Sequence, residues 1–181
     1  MWRNSGSNTR LRLASAGLLA ALALPASAGP AGVNLPFETV QIGQGTLRLF
    51  GLRIYDATLW APGGRWRPDA PYALELTYAR KIDRSKLAAS TVNEIRKQRK
   101  LPQPLLSDWE KQLVSLFPDV EPGDRIAAIR IPGQGVSFHA GPRPLGRIGD
   151  EAFAESFFAI WLDPRTSAPD LRAALLRRPA G

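Results

Sequence analysis

The chain has 181 residues, with 24 Lys and Arg against 16 Asp and Glu, a single histidine, a single methionine and no cysteine. Lack of cysteine excludes structural disulfides, Cys-ligated zinc, iron–sulfur clusters, covalent haem attachment and thiol catalysis. The formal charge of +8 would suit nucleic acid, but three of its arginines lie in a segment that does not belong to the folded domain.

Residues 1–28 read as a cleaved secretory signal. Arg3, Arg10 and Arg12 stand without an acidic residue, the apolar stretch Leu13 to Leu24 follows, and Pro25-Ala26-Ser27-Ala28 supplies an A-x-A site. The apolar run is shorter than the about 20 residues a membrane-spanning helix requires. The expected product is periplasmic or secreted, with no transmembrane anchor after cleavage. It keeps 21 basic against 16 acidic residues, about +5. Export argues against nucleic acid, and the remaining excess suits an anionic small molecule or the anionic envelope surface. The mature length fits one domain with its own core, divided into a flexible lead-in over 29–36 and a domain over 37–178.

Phe37 to Ile42 reads as a strand, Gly43-Gln44-Gly45 as a turn, and Thr46 onward as a long second strand with a bulge at Gly51. Within that strand lies FGLRIYDATLW, Phe50 to Trp60. Simple alternation places Arg53, Tyr55, Ala57 and Leu59 on one face and Ile54 with Asp56 on the other. Tyr72 to Tyr78 is a further strand. Asp83 is positioned to cap a helix with apolar positions Leu87, Ala88, Val92 and Ile95, ending in the basic run Arg96 to Lys100. Ser107-Asp108-Trp109-Glu110 has a capping-box pattern for a second helix carrying Trp109, Leu113, Leu116 and Phe117. A hairpin over Arg125 to Ile131 and Val136 to Ala140 follows, then a short strand at Leu145 to Ile148. Asp150 caps a helix that buries Phe153, Phe157, Phe158 and Trp161. Ser167 is read as the cap of a last helix with Leu171 and Leu175 inside. This order gives an α+β domain, an antiparallel sheet covered on one face by helices.

The polar residues inside these elements are the candidate site. Arg53 and Tyr55, two apart on one strand, could hold a carboxylate or phenolate at the wall of an apolar cleft. The competing reading puts Arg53 on an uncovered sheet face with Tyr55 snorkelling beside it. Tyr78 and Arg80 repeat the combination at the end of the next strand, and Asn93 and Arg96 share one edge of the first helix. Asp56 needs a partner if buried, and a cap on a nearby helix or a bulge, or a pair with an arginine, is favoured over catalysis. His139 offers an axial haem ligand or general base only if it reaches a cavity. No Gly-x-Ser-x-Gly elbow and no carboxylate–histidine group at metal-ligand spacing occurs. The expectation is no cofactor, with haem as the exception to test.

The FGLRIYDATLW strand, LELTYAR with the helix after it, LFPDVEPGDRI, PGQGVSF and FFAIWLDPRTSAPDLRAALL together resemble the bacterial chalcone isomerase-like family. That resemblance implies an open-faced β-sandwich, a large antiparallel sheet backed by a layer of helices with a cleft between them. Plant chalcone isomerases cyclise an enone with an arginine, a threonine, a tyrosine and an asparagine. Laid on this sequence, the threonine falls at or near Tyr55, the arginine near Gly43 and the tyrosine at Lys86, so only Asn93 matches. Other relatives bind fatty acids, and some bind haem. The expected function is therefore binding of a small, largely apolar ligand with an anionic or phenolic group, without chalcone isomerase activity. Ligand contacts are expected from Arg53, Tyr55, Tyr78, Arg80, Asn93 and Arg96. The alternatives are an intramolecular lyase or isomerase acting on an enone, a haem binder, or a non-catalytic envelope interaction module.

Overall fold

The computed structural model describes residues 29–30 and 32–176; the expected secretory signal lies outside them. Six strands form one antiparallel sheet in chain order: β1 (Val40–Leu49), β2 (Leu52–Ala61), β3 (Tyr72–Tyr78), β4 (Arg125–Arg130), β5 (Val136–Ala140) and β6 (Arg143–Ile148). Helices α1 (Arg84–Gln98) and α2 (Gln103–Leu116) are inserted between β3 and β4. Helices α3 (Glu151–Leu162) and α4 (Pro169–Leu176) follow β6. The buried residues of all four helices pack against one sheet face in a single core. A sheet with one covered face explains the alternation in β3, whose Tyr72, Leu74, Leu76 and Tyr78 face that core.

Aromatic side chains fill the end of the core under β5. The Phe138 ring sits edge-on to Phe117 (5.2 Å) and Phe157 (5.3 Å), and Phe153 stacks on Phe157 at 5.6 Å. Asp150 fixes the start of α3 by accepting from the Ala152 and Phe153 amides. Its other oxygen accepts the indole N–H of Trp109 at 3.1 Å, tying α2 to α3. The expected caps elsewhere differ. Asp83 stands before α1 but makes no side-chain cap bond, pairing instead with Lys86 at 3.0 Å. Helix α2 starts a turn before Ser107, because Pro102-Gln103-Pro104 already sets helical φ. Thr166, not Ser167, accepts the Ala168 amide ahead of α4 (3.1 Å), while Ser167 donates to Glu94.

The largest revision concerns the first hairpin. Gly43-Gln44-Gly45 is not a turn; β1 runs through it, paired with Leu59, Thr58 and Ala57. Chain reversal occurs at Phe50-Gly51, both at positive φ (50° and 79°), as a two-residue type I′ hairpin requires. The glycines of β1 serve packing: a Cβ on Gly43 would stand 2.3 Å from the Ala174 carbonyl oxygen, and one on Gly45 2.8 Å from Leu171. Helix α4 therefore lies directly on the first half of β1. Bulges at Ile42 and Ile54 each insert one residue into the β1–β2 ladder.

The outer face of the sheet is partly covered by the expected lead-in and by Phe37, which precedes β1 instead of opening the first strand. Val33, Leu35 and Phe37 pack with Ile131 against Trp60, Ala73 and Ile129, a second apolar cluster separate from the helical core.

Candidate functional site

Between the inner sheet face and α1, α3 and α4 lies a cavity of about 970 Å³, at the upper end of the size of ligand pockets, about 300–1,000 Å³. Its floor is the half of the inner face that α4 leaves uncovered: Leu74 and Leu76 from β3, Ile126 and Ala128 from β4, with Phe138, Phe157 and Ile160 closing one end. Its rim is exposed and polar. Thr46 and Arg48 come from β1, Asn93, Arg96 and Lys97 from α1, and Ser167 from the segment leading into α4.

Two phenols stand in this apolar floor. Tyr55 and Tyr78 are cross-strand partners in the β2–β3 ladder, with rings edge-to-face at 6.1 Å. Tyr55 Oη accepts the indole N–H of Trp161 at 2.9 Å, which leaves its own proton free to donate. Burial pushes both phenols well above the usual tyrosine range, with Tyr55 adding to the cost of ionising Tyr78 and Glu94 to that of ionising Tyr55. They are therefore neutral O–H donors, not tyrosinate bases.

The rim is held by one carboxylate. Glu94 accepts from Lys97 Nζ (2.5 Å) with one oxygen and from Ser167 Oγ (2.5 Å) with the other, joining α1 to the start of α4. Arg96 donates to Asn93 Oδ1 at 2.7 Å, and Arg48 to the Gly51 carbonyl at 3.4 Å. Neither arginine forms a salt bridge among the described residues; Arg96 remains available to an anion, while Arg48 also lies close enough to Asp56 to help lower its carboxyl.

Of the six candidate residues, the fold brings Tyr55, Tyr78, Asn93 and Arg96 to the cavity. Arg53 and Arg80 do not line it. Simple alternation fails at Arg53 because Ile54 is the extra residue of a bulge. The Arg53 guanidinium instead grips both oxygens of Asp56 on the outer face, where Thr46 also donates to Asp56 at 2.6 Å. Asp56 thus has the arginine partner it needs, and its carboxyl is held below the ordinary range chiefly by that hydrogen bond. Arg80 is exposed, just past the end of β3.

Arg48, Glu94, Lys97 and Trp161 line the cavity without having been singled out from the sequence. A signal for the helix existed: Ser90, Asn93, Glu94 and Lys97 recur at helical spacing, a polar stripe along α1. His139 pairs with Ala127 across the ladder and faces away from the helical core. Among the described residues no histidine or methionine lines the cavity, and burial keeps its tyrosines protonated, so this lining does not fit an axial haem ligand. Among the described residues no group of three His, Asp or Glu is placed to hold a metal ion, and no helix is long and apolar enough to cross a membrane.

Comparison with known proteins agrees with this architecture. A family model described as chalcone isomerase-like matches residues 30–177. An uncharacterized protein of Haemophilus influenzae is 27% identical over 124 residues, which is 68% of this chain and 60% of that protein. The crystal structure of an Arabidopsis thaliana fatty-acid binding protein superposes with a TM-score of 0.60 at 14% identity, over 84% of this chain and 90% of the other. At that identity the likeness shows the shared fold.

Proposed function

This chain belongs to the chalcone isomerase-like family, and on that premise we propose that it binds, without turnover, a largely apolar molecule carrying one anionic or phenolic group. The observation that carries the reading is the composition of the cavity, aliphatic and aromatic side chains around two neutral phenols, with unpaired arginines only at the exposed rim. The ligand's head accepts hydrogen bonds from Tyr55 and Tyr78 and faces Arg96 and Asn93. Its tail runs over Leu76, Ile126 and Ala128 toward Phe138. A fatty acid has this chemistry, and the Arabidopsis neighbour is titled a fatty-acid binding protein.

A lyase of the plant type stabilises the developing oxyanion with a fixed arginine, one form of the preorganised donor such a step requires. The cations lining this cavity, Arg48, Arg96 and Lys97, are exposed side chains at its rim. Position 43, where the family's plant arginine falls by resemblance, is sealed by α4. Both points favour binding over catalysis. Export as a periplasmic or secreted protein is part of the proposal, and N-terminal sequencing of the mature chain tests it. An N-terminus at Met1 would remove it.

The ligand reading is tested by extracting the purified protein with organic solvent and identifying what is released by mass spectrometry. The delipidated protein is then titrated with palmitate and with its methyl ester. The expected result is a long-chain acid in the extract and palmitate binding about tenfold tighter than the ester, the worth of one or two charge-assisted hydrogen bonds. Equal affinity for acid and ester would remove the anionic head from the proposal. Failure to bind either would remove the apolar ligand.

A further inference from the structure

The β1–β2 turn carries an apolar tip that no described residue covers. Phe50 is fully exposed (103%), and Leu49 and Leu52, the pair that closes the turn, are half exposed at 50% and 52%. Soluble surfaces scatter such residues singly; three in four positions at one tip form a patch. Phe50 also sits at φ 50°, a conformation that a bulky side chain avoids without a reason. Behind the tip is a collar of arginines. Arg48 and Arg53 face each other one rung below it. Arg80 lies beside them, since the Ala79 amide bonds the Ile54 carbonyl. Asp56 offsets Arg53, and Glu121 pairs with Lys81 at 2.7 Å, which leaves Arg48 and Arg80 as the collar's net charge. Apolar tip first and cations behind is the order in which a peripheral protein meets an anionic bilayer.

The tip is continuous with the cavity. Leu49 and Arg48 belong to both, and Arg96 and Lys97 add charge on the opposite rim. We infer that the Leu49–Leu52 hairpin tip is a membrane-docking device, inserting Phe50, Leu49 and Leu52 among the acyl chains of an anionic lipid surface while the arginines engage headgroups. In this pose the cavity mouth faces the bilayer. The docking surface goes beyond the ligand reading and does not require that the cavity bind a fatty acid.

The absence of cysteine makes the test site-specific. In the full chain, Leu52→Cys is labelled with an environment-sensitive fluorophore such as NBD, with Val40→Cys as the control. Val40 is equally exposed (53%) but pairs with Ala61 at the far end of the hairpin. Vesicles of phosphatidylcholine with one third phosphatidylglycerol are expected to blue-shift the label at 52 and leave that at 40 unchanged. Adding Phe50→Ser should weaken the response at least about tenfold in lipid concentration, and raising salt from about 0.05 to 0.5 M should weaken it further. A label at 52 that stays water-like would overturn the inference, as would equal shifts at 52 and 40, which adsorption through another part of the chain would give. Equal response to pure phosphatidylcholine would overturn the anionic requirement. A label already shielded before lipid, in a concentration-dependent way, would assign the tip to a second copy of the chain instead.

Discussion

The two halves of β1 meet the helical layer in opposite ways. Over Gly43 and Gly45 the backbone of α4 lies so close that no Cβ fits; over Thr46 to Leu49 the helices lift away and leave the cavity. The same strand is therefore a packing surface at one end and a binding wall at the other. The difference is set by two absent side chains and by where α4 lands. A close seat for α4 at one end is what permits a gap at the other without loss of the helix.

That contrast is broken most severely at Gly43. Gly43→Ala places a methyl 2.3 Å and 2.5 Å from the Ala174 and Leu175 carbonyl oxygens, which are backbone and cannot swing aside. A loss of about 3 kcal/mol, the upper end for overpacking, is expected as a lower denaturant midpoint with unchanged slope. Leu49→Ala, in the open half, should cost less than about 0.5 kcal/mol because its side chain is half exposed and packs on no helix. Equal costs at the two positions would mean that α4 does not hold the seat described.

The cavity half is tested by filling it. Ala128→Phe adds a ring to the floor between Ile126 and Phe138, and palmitate affinity should fall at least about a hundredfold while the unfolding midpoint stays near that of the parent. A smaller loss is expected from Tyr78→Phe, which deletes one donor without changing shape. At about 1 kcal/mol for one hydrogen bond, the dissociation constant should rise about fivefold for the acid and less for the methyl ester, whose neutral carbonyl is the weaker acceptor. An equal effect on both would show that the hydroxyl does not select the anionic head.

How much of this was legible beforehand follows from the same residues. Strand and helix periodicity showed β3, β4, β5, α1 and α3, because their apolar faces repeat without interruption. The glycines of β1 misled because glycine beside a strand usually signals chain reversal, whereas here it answers a tertiary demand from Leu171, Ala174 and Leu175, far along the chain in α4. The true turn was hidden because Phe50 is a poor candidate for positive φ. Bulges are equally silent: one inserted residue, Ile54, was enough to carry Arg53 from the expected cavity wall to Asp56. Tyr55, Tyr78, Asn93 and Arg96 reached the cavity because no irregularity separates each from its own periodic face. The cavity itself depends on the height of α4 above the sheet, which no local pattern encodes.

What fixes that height is the connection from α3 to α4, and it holds the subtlest prediction. Thr166 Oγ1 donates to the Ile160 carbonyl (2.6 Å), and Arg172 Nε donates to the Leu162 carbonyl (2.8 Å). Asp163 organises the same turn, accepting from the Arg165 amide at 2.8 Å and from both forks of the Arg165 guanidinium at 2.9 Å. Those hydrogen bonds, the guanidinium's foremost, bring the Asp163 carboxyl from its ordinary 3.8 down to about 2. A carboxyl depressed in the folded state stabilises the fold above its unfolded value and loses that contribution as pH falls. The stability gap between the parent and Asp163→Asn should therefore be constant above about pH 5 and close between about pH 4 and pH 2. Because Arg165 is 63% exposed, solvent screening limits the pair's own part to about 1 kcal/mol or less. Denaturant midpoints across that range measure it. If the connection sets the seat of α4, Asp163→Asn should bind palmitate more weakly than the parent at pH 7, and a stability gap that persists unchanged at pH 2 would show that Asp163 acts in the turn without its charge.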